Sequence, residues 1–199
     1  LESAEQSIHL SIYESMSPDL TNALLETIER GVEVTILLEE GILDDSETKE
    51  NQRGHAHILS ESGAIVYWMI TPSEISAPYA FIHSKVAVKD GESIWISSGN
   101  WKDSSLPPTG SSGNREWSLF LDSAPMAQLI LSRMAWDENS NHLHIVEHSS
   151  QYSPDAGWAL PSPTITPTLA PIPDTTTSFQ TKLLTCPDDC VGGLISEIN

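Results

Sequence analysis

An imidazole, an ammonium and a carboxamide gather in one short stretch of this chain. His83 and Lys85 open the run His83-Ser84-Lys85-Val86-Ala87-Val88-Lys89-Asp90, and Asn100 closes Ser97-Ser98-Gly99-Asn100. These groups at this spacing suit the gripping of a phosphodiester. The imidazole supplies a nucleophile or general base and the ammonium a fixed positive charge. Ser98 and Asn100 supply neutral donors for phosphate oxygens as charge builds in the transition state. No step of that chemistry calls for a metal or another cofactor.

The local pattern indicates how the groups are held. Phe81 to Val88 alternates as a half-buried strand does, with Ile82, Ser84, Val86 and Val88 on one side and Phe81, His83, Lys85 and Ala87 on the other. Asp90-Gly91 is a turn signal and Ser93 to Ser98 reads as a second strand. The expected hairpin carries Ser98 and Asn100 back beside His83 and Lys85.

This arrangement, HxKx4D followed after six residues by a GSxN-like element, resembles the phospholipase D superfamily. In that family the pattern occurs twice, within one chain or across a dimer, and the two copies meet at one active site. The resemblance implies that His83 attacks phosphorus to give a phosphohistidine, while the second copy's histidine protonates the leaving oxygen and water then releases the product. It implies that Lys85 and Asn100 bind the non-bridging oxygens, that Ser98 is the family's serine, and that Asp90 is a structural aspartate. Glu116, in Asn114-Arg115-Glu116-Trp117, stands where members often keep an acid that orients the histidine. Ser97 departs from the pattern, because the family usually has glycine there.

The elements around the motif fit an α/β fold, a mixed β-sheet sandwiched between α-helices as in phospholipase D-like domains. Ile8, Leu10 and Ile12 alternate into a strand. Ser17-Pro18 then opens a helix with Leu20, Ala23, Leu24 and Ile28 at helical spacing, closed by Gly31. Val32 to Leu38 is a nearly unbroken apolar run, which suits a strand covered on both faces and a parallel pair joined by a right-handed crossover. Ser46 to Ser62 reads as a helix, Ala64 to Trp68 and Glu116 to Leu121 as strands, and Ala124 to Trp136 as a closing helix with Met126, Ile130 and Met134 as its stripe. The repeat therefore spans about residues 1–140.

Residues 141–178 read as a proline- and threonine-rich linker, semi-stiff because proline favours extended polyproline II. Phe179 to Leu184 and Leu194, Ile195 and Ile198 then suggest the start of a second repeat over 179–199, so the chain is expected to be a piece of a two-repeat protein. A single-repeat chain that dimerises is the alternative. Cys186 and Cys190 fit either a local disulfide or two free thiols.

Charge bounds the partners. The 28 acidic and 9 basic side chains give a net charge of −19, so the long-range field repels nucleic acid and anionic membranes at low salt. Screening confines that field to roughly 8 Å at physiological ionic strength, and a local basic pocket can still take one phosphate. The acidic surface and the linker composition suggest an extracytoplasmic setting, and no segment reads as a stable membrane span.

Other features take plainer readings. His55, His57, His142, His144 and His148 have metal-like spacings without matching carboxylates or cysteines, and are expected at the surface. The acid run from Glu39 to Glu47 is expected in a solvated loop. Trp68, Trp95 and Trp117 are expected in the core, and Trp101 as a candidate to line the substrate pocket. The function implied is phosphodiester hydrolysis or phosphatidyl transfer on a lipid or nucleic acid, completed by a second HxKx4D repeat in the same chain or by a homodimer partner. The alternative is a noncatalytic anion-binding scaffold of the same fold.

Overall fold

A computed structural model describes residues 1–71, 77–139 and 141–164. Leu1–Thr166 form one unit and Pro167–Asn199 a second, which lies outside the described residues together with the expected second-repeat start and both cysteines.

The first unit is built on a seven-stranded mixed sheet. Its strands are β1 (Ser7–Ile12), β2 (Glu33–Glu39), β3 (Ile65–Met69), β4 (Lys85–Lys89), β5 (Ser93–Ser97), β6 (Ser118–Asp122) and β7 (Ile145–Glu147), in the order β6-β5-β4-β1-β2-β3-β7. β1, β2 and β3 run parallel, joined by α1 (Pro18–Glu29) and α2 (Ser46–Glu61). The Ser17 side chain caps α1 and that of Asp45 caps α2, each accepting an otherwise unpaired first-turn amide. Gly31 ends the α1 turn at φ +86°, a conformation that costs a side-chain-bearing residue more than glycine.

Alternation decides what each face buries. Ile8, Leu10, Ile12, Val34, Ile36, Leu38, Val66 and Trp68 pack with Leu24 of α1 and with Ala56 and Leu59 of α2. Leu37 and Met69, one residue out of phase, gather with Ile82 and Ile145 on the other face. Val88 and Ile94 alternate away from Ala87 and Trp95, and are buried where α3 (Ala124–Asp137) lies along β4 and β5.

The structure differs from the expectations at several points. The buried stripe of α3 is Ala127, Ile130 and Met134, with Ala127 in the place expected for Met126, since the step back from Ile130 is three residues along the helix instead of four. β4 begins only at Lys85, so His83 precedes the ladder. Trp117 is 77% exposed, because β6 is the sheet edge and nothing among the described residues covers it. The segment expected to be a linker from residue 141 instead contributes β7, which pairs antiparallel with β3, and Trp158, whose indole lies against Gly54 of α2.

Candidate active site

The residues just after β1 form the spine of the site. The Tyr13 amide donates to the Ser84 carbonyl at 3.1 Å, and the Trp101 amide to the Glu14 carbonyl at 2.9 Å. The Met16 amide donates in turn to the Trp101 carbonyl at 2.6 Å. Because β4 starts late, residues 100–102 take the place beside residues 14–16 that a longer β4 would have occupied. Asn100 therefore comes to rest beside Glu14, with Tyr13 next to His83.

His83 is exposed, and its ring lies 4.9 Å from that of Tyr13. Burial and then the Lys85 charge hold its pKa below the usual imidazole value, with Glu14 opposing them. Its neutral, nucleophilic form is thereby favoured. Lys85 is buried, donates from Nζ to the His83 carbonyl at 2.9 Å and stands 5.4 Å from the Tyr13 ring centre. Burial lowers its pKa, the charges of Glu14 and Glu116 raise it, and Lys102 lowers it again. The Tyr13 hydroxyl accepts from the Leu43 amide at 2.8 Å, which fixes the ring that both side chains touch.

Behind that ring lies a carboxylate with no motif to announce it. The Glu14 side chain is 4% exposed; Oε1 accepts from Lys102 Nζ at 2.7 Å and Oε2 accepts from Asn100 Nδ2. Asn100 Oδ1 is buried without a hydrogen-bond partner among the described residues. Glu14 and Lys102 are the functional candidates that sequence reading missed. The acid in Tyr13-Glu14-Ser15, directly after an apolar strand, was the available signal.

Ser98 and Glu116 are also paired. Ser98 Oγ donates to Glu116 Oε2 at 2.6 Å and accepts from the Trp117 amide at 3.0 Å, while Ser105 Oγ donates to Glu116 Oε1 at 2.9 Å. The Ser98 and then the Ser105 hydroxyl hold the Glu116 pKa below the usual carboxylate range. Both oxygens of Glu116 thus serve serines, where the resemblance implied a contact orienting His83. Gly99 is required between them, since a Cβ there would stand 2.8 Å from Glu116 Cγ.

Asp90 sits away from these groups. Its carboxylate accepts from the amides of Glu5, Gln6 and Ser7 at 2.7 to 3.2 Å, tying the β4–β5 turn to the start of β1. Trp101 is 5% exposed, its ring 5.8 Å from that of Trp95. A trough of about 520 Å³ opens there, lined by Trp95, Trp101, Leu106 and Phe120 and reaching Asn100 and Glu116. His83 and Lys85 do not line it.

Of the acid run, Asp44, Asp45 and Glu47 are exposed as expected, whereas Glu39 and several histidines depart from their expected places. Glu39 is fully buried: its Oε2 accepts from the Ile82 amide at 2.9 Å and Oε1 from the Gly41 amide at 2.8 Å, which anchors the residue before His83. Burial raises its pKa against those two amides. His55 is buried against Thr21, with Nδ1 2.8 Å from Oγ1. His148 Nδ1 accepts from Trp68 Nε1 at 3.1 Å, and its Nε2 lies 3.2 Å from His57 Nδ1. These rings fasten α1 to α2 and α2 to the segment after β7, work that a surface position would not allow.

Comparison with known proteins follows the same outline. The profile of the family described as "Cardiolipin synthase, PLD-like domain" matches residues 1–138. Among solved structures, the chain is similar to Nuc from Salmonella typhimurium, a phospholipase D family member, at 18% identity and a TM-score of 0.56, over 75% of this chain and 86% of that one. It is also similar to NucT from Helicobacter pylori at 20% identity and a TM-score of 0.50, over 66% and 78% of the two chains. None of the curated proteins compared with it matches. With the profile spanning β1 to β6, all three α-helices and every residue of the His83 cluster, the chain belongs to the phospholipase D-like family that this profile describes.

Proposed function

We propose that this chain carries one half of a phosphodiester-cleaving site that works through a covalent phosphohistidine, in hydrolysis or in phosphatidyl transfer. The observation that carries this reading is the convergence of His83 and Lys85 on the Tyr13 ring, with Asn100 held by the residue after Tyr13, Glu14. His83 Nε2 or Nδ1 forms the bond to phosphorus as the bond to the leaving oxygen breaks, and that oxygen takes a proton from a second imidazole. Lys85 carries positive charge to the phosphoryl oxygens, and a water or an acceptor alcohol then displaces the histidine. The second imidazole comes from another HxKx4D repeat in the same protein or from a homodimer partner. No metal takes part in either step, and the substrate is a phosphodiester of a lipid or a nucleic acid.

Hydrolysis of bis-p-nitrophenyl phosphate by the 199-residue chain, alone and at concentrations that drive self-association, tests this reading. Activity that rises with association, survives a chelator and disappears in His83→Ala and His83→Asn is the expected result. Activity that survives both substitutions and vanishes with chelator overturns the mechanism. Retained phosphate binding without turnover in any associated form favours the noncatalytic anion-binding scaffold.

A further inference from the structure

Glu14 is a buried acid that the mechanism above does not use. It sits where β1 runs out, pinned on both sides: its carbonyl accepts from the Trp101 amide, and its two carboxylate oxygens are taken by the residues flanking Trp101. Trp101 turns into the core while Asn100 and Lys102 turn to Glu14, as alternation along an extended segment requires. Asn100 can satisfy a carboxylate only with its nitrogen, so this contact dictates which way the amide faces and leaves Oδ1 buried without a partner. Lys102 is in turn braced on its far side by Asp44 at 3.6 Å.

We propose that Glu14 is a positioning residue of this site: it sets the orientation of the Asn100 amide and holds Lys102 as a second ammonium beside Lys85. The inference rests on the phosphodiester reading only for what the positioned groups do; the positioning itself is a statement about geometry. Two consequences follow. An Asn100 amide free to turn over would present an acceptor to a phosphate half the time, and Glu14 removes that choice. Glu14 also places one negative charge among the groups that face His83 and Lys85, namely Tyr13 and Glu14 from the end of β1, Lys102 from the loop after β5 and Glu116 before β6, with Asp44 after β2 acting only through Lys102.

The test is nuclear magnetic resonance on the isotopically labelled 199-residue chain, with the Asn100 side-chain amide and the His83 imidazole assigned by substitution. In the wild type, one Asn100 Nδ2 proton resonates downfield and exchanges slowly, as a charge-assisted hydrogen bond demands. Glu14→Gln removes that signature and moves the His83 titration midpoint down by ~0.5 to 1 pH units, the scale of one charge acting through a partly solvated path. Glu14→Asp retains most of the midpoint, because it keeps the charge, while the Asn100 signature weakens. Lys102→Met moves the His83 midpoint upward, the opposite sign, and decides the matter if Glu14→Gln does not fold. An Asn100 amide and a His83 midpoint that both stay put in folded Glu14→Gln, or a midpoint unmoved in Lys102→Met, overturn the inference. Diester hydrolysis measured on the same variants separates the two ideas. Spectral changes together with hydrolysis that survives His83→Ala and vanishes with chelator refute the catalytic reading and leave the positioning role standing. Turnover with no spectral change does the reverse.

Discussion

His55 makes the stability of this fold depend on pH in a way that one substitution can isolate. The ring is 1% exposed, Nδ1 is engaged by Thr21 Oγ1, and Nε2 is buried with no partner, facing the Trp158 indole at a ring separation of 5.5 Å. A proton added there meets no acceptor among the described residues, and burial pushes the pKa from 6.5 to about 4. Above pH 6.5 both folded and unfolded chains hold the ring neutral, and it contributes no pH dependence. Between 6.5 and 4 the unfolded chain binds a proton that the folded chain refuses, so stability falls as pH falls. At 1.36 kcal/mol per unit, the full interval is worth about 3 kcal/mol. Glu138 acts in the other direction, since burial raises its pKa to about 7 and its protonated form is the one the fold accepts. The wild-type profile alone is therefore flattened by cancellation. The informative quantity is the difference between wild type and His55→Gln, which keeps a polar partner for Thr21 and does not titrate. Urea unfolding followed by tryptophan fluorescence at pH 7.5, 6.5, 5.5 and 4.5 measures it. The wild type loses ground to His55→Gln by about 1.4 kcal/mol per pH unit below 6.5. A difference that is constant across this range refutes the assignment of a buried neutral imidazole.

Further outcomes follow from the site. Asp90→Ala strips the acceptor from three backbone amides at the start of β1 and lowers stability by about 1–3 kcal/mol in thermal melts. Asp90→Gly also removes the carboxylate but relieves the φ of +53°, so its stability above that of Asp90→Ala measures the strain, and an Asp90→Ala variant as stable as wild type would show that the carboxylate contributes nothing. Gly99→Ala drives a methyl to 2.8 Å from Glu116 Cγ and 3.1 Å from Ser105 Cβ, displacing the Glu116 carboxylate at a cost of about 1–3 kcal/mol by urea unfolding. His83 has its pKa depressed by burial and by Lys85, so a rate that needs the neutral imidazole persists below pH 6.5. Lys85→Met raises the His83 titration midpoint, and an unchanged or lower midpoint would contradict the electrostatic account.

Periodicity made most of the fold legible. Ile8, Leu10 and Ile12 alternate, Ser17-Pro18 opens a helix and Asp90-Gly91 turns the chain, because each of these signals is local and is obeyed wherever the segment lands. Trp117 shows where local pattern stops: an aromatic residue beside an alternating strand is core in a central strand and exposed at an edge, and strand order is not written in any one segment. The same holds for β7 and Trp158, whose stretch has the composition of a spacer and acquires structure only by pairing with β3 and packing on α2. His55 and Glu39, expected in solvent, are buried because their partners Thr21 and the Ile82 amide come from distant parts of the chain.

The site divides along the same line. Its reagents, His83, Lys85, Ser98 and Asn100, flank the open end of the β4–β5 hairpin, and that much of their grouping was readable from spacing. What each reagent touches was settled by the sheet register. β4 begins two residues too late to hold His83, residues 100–102 move in beside 14–16, and Glu14 arrives between the parts of the motif. Side-chain chemistry travels with the residue wherever it goes, whereas pairing across a sheet is a property of strands far apart in the chain, and only folding chooses among the neighbours they offer.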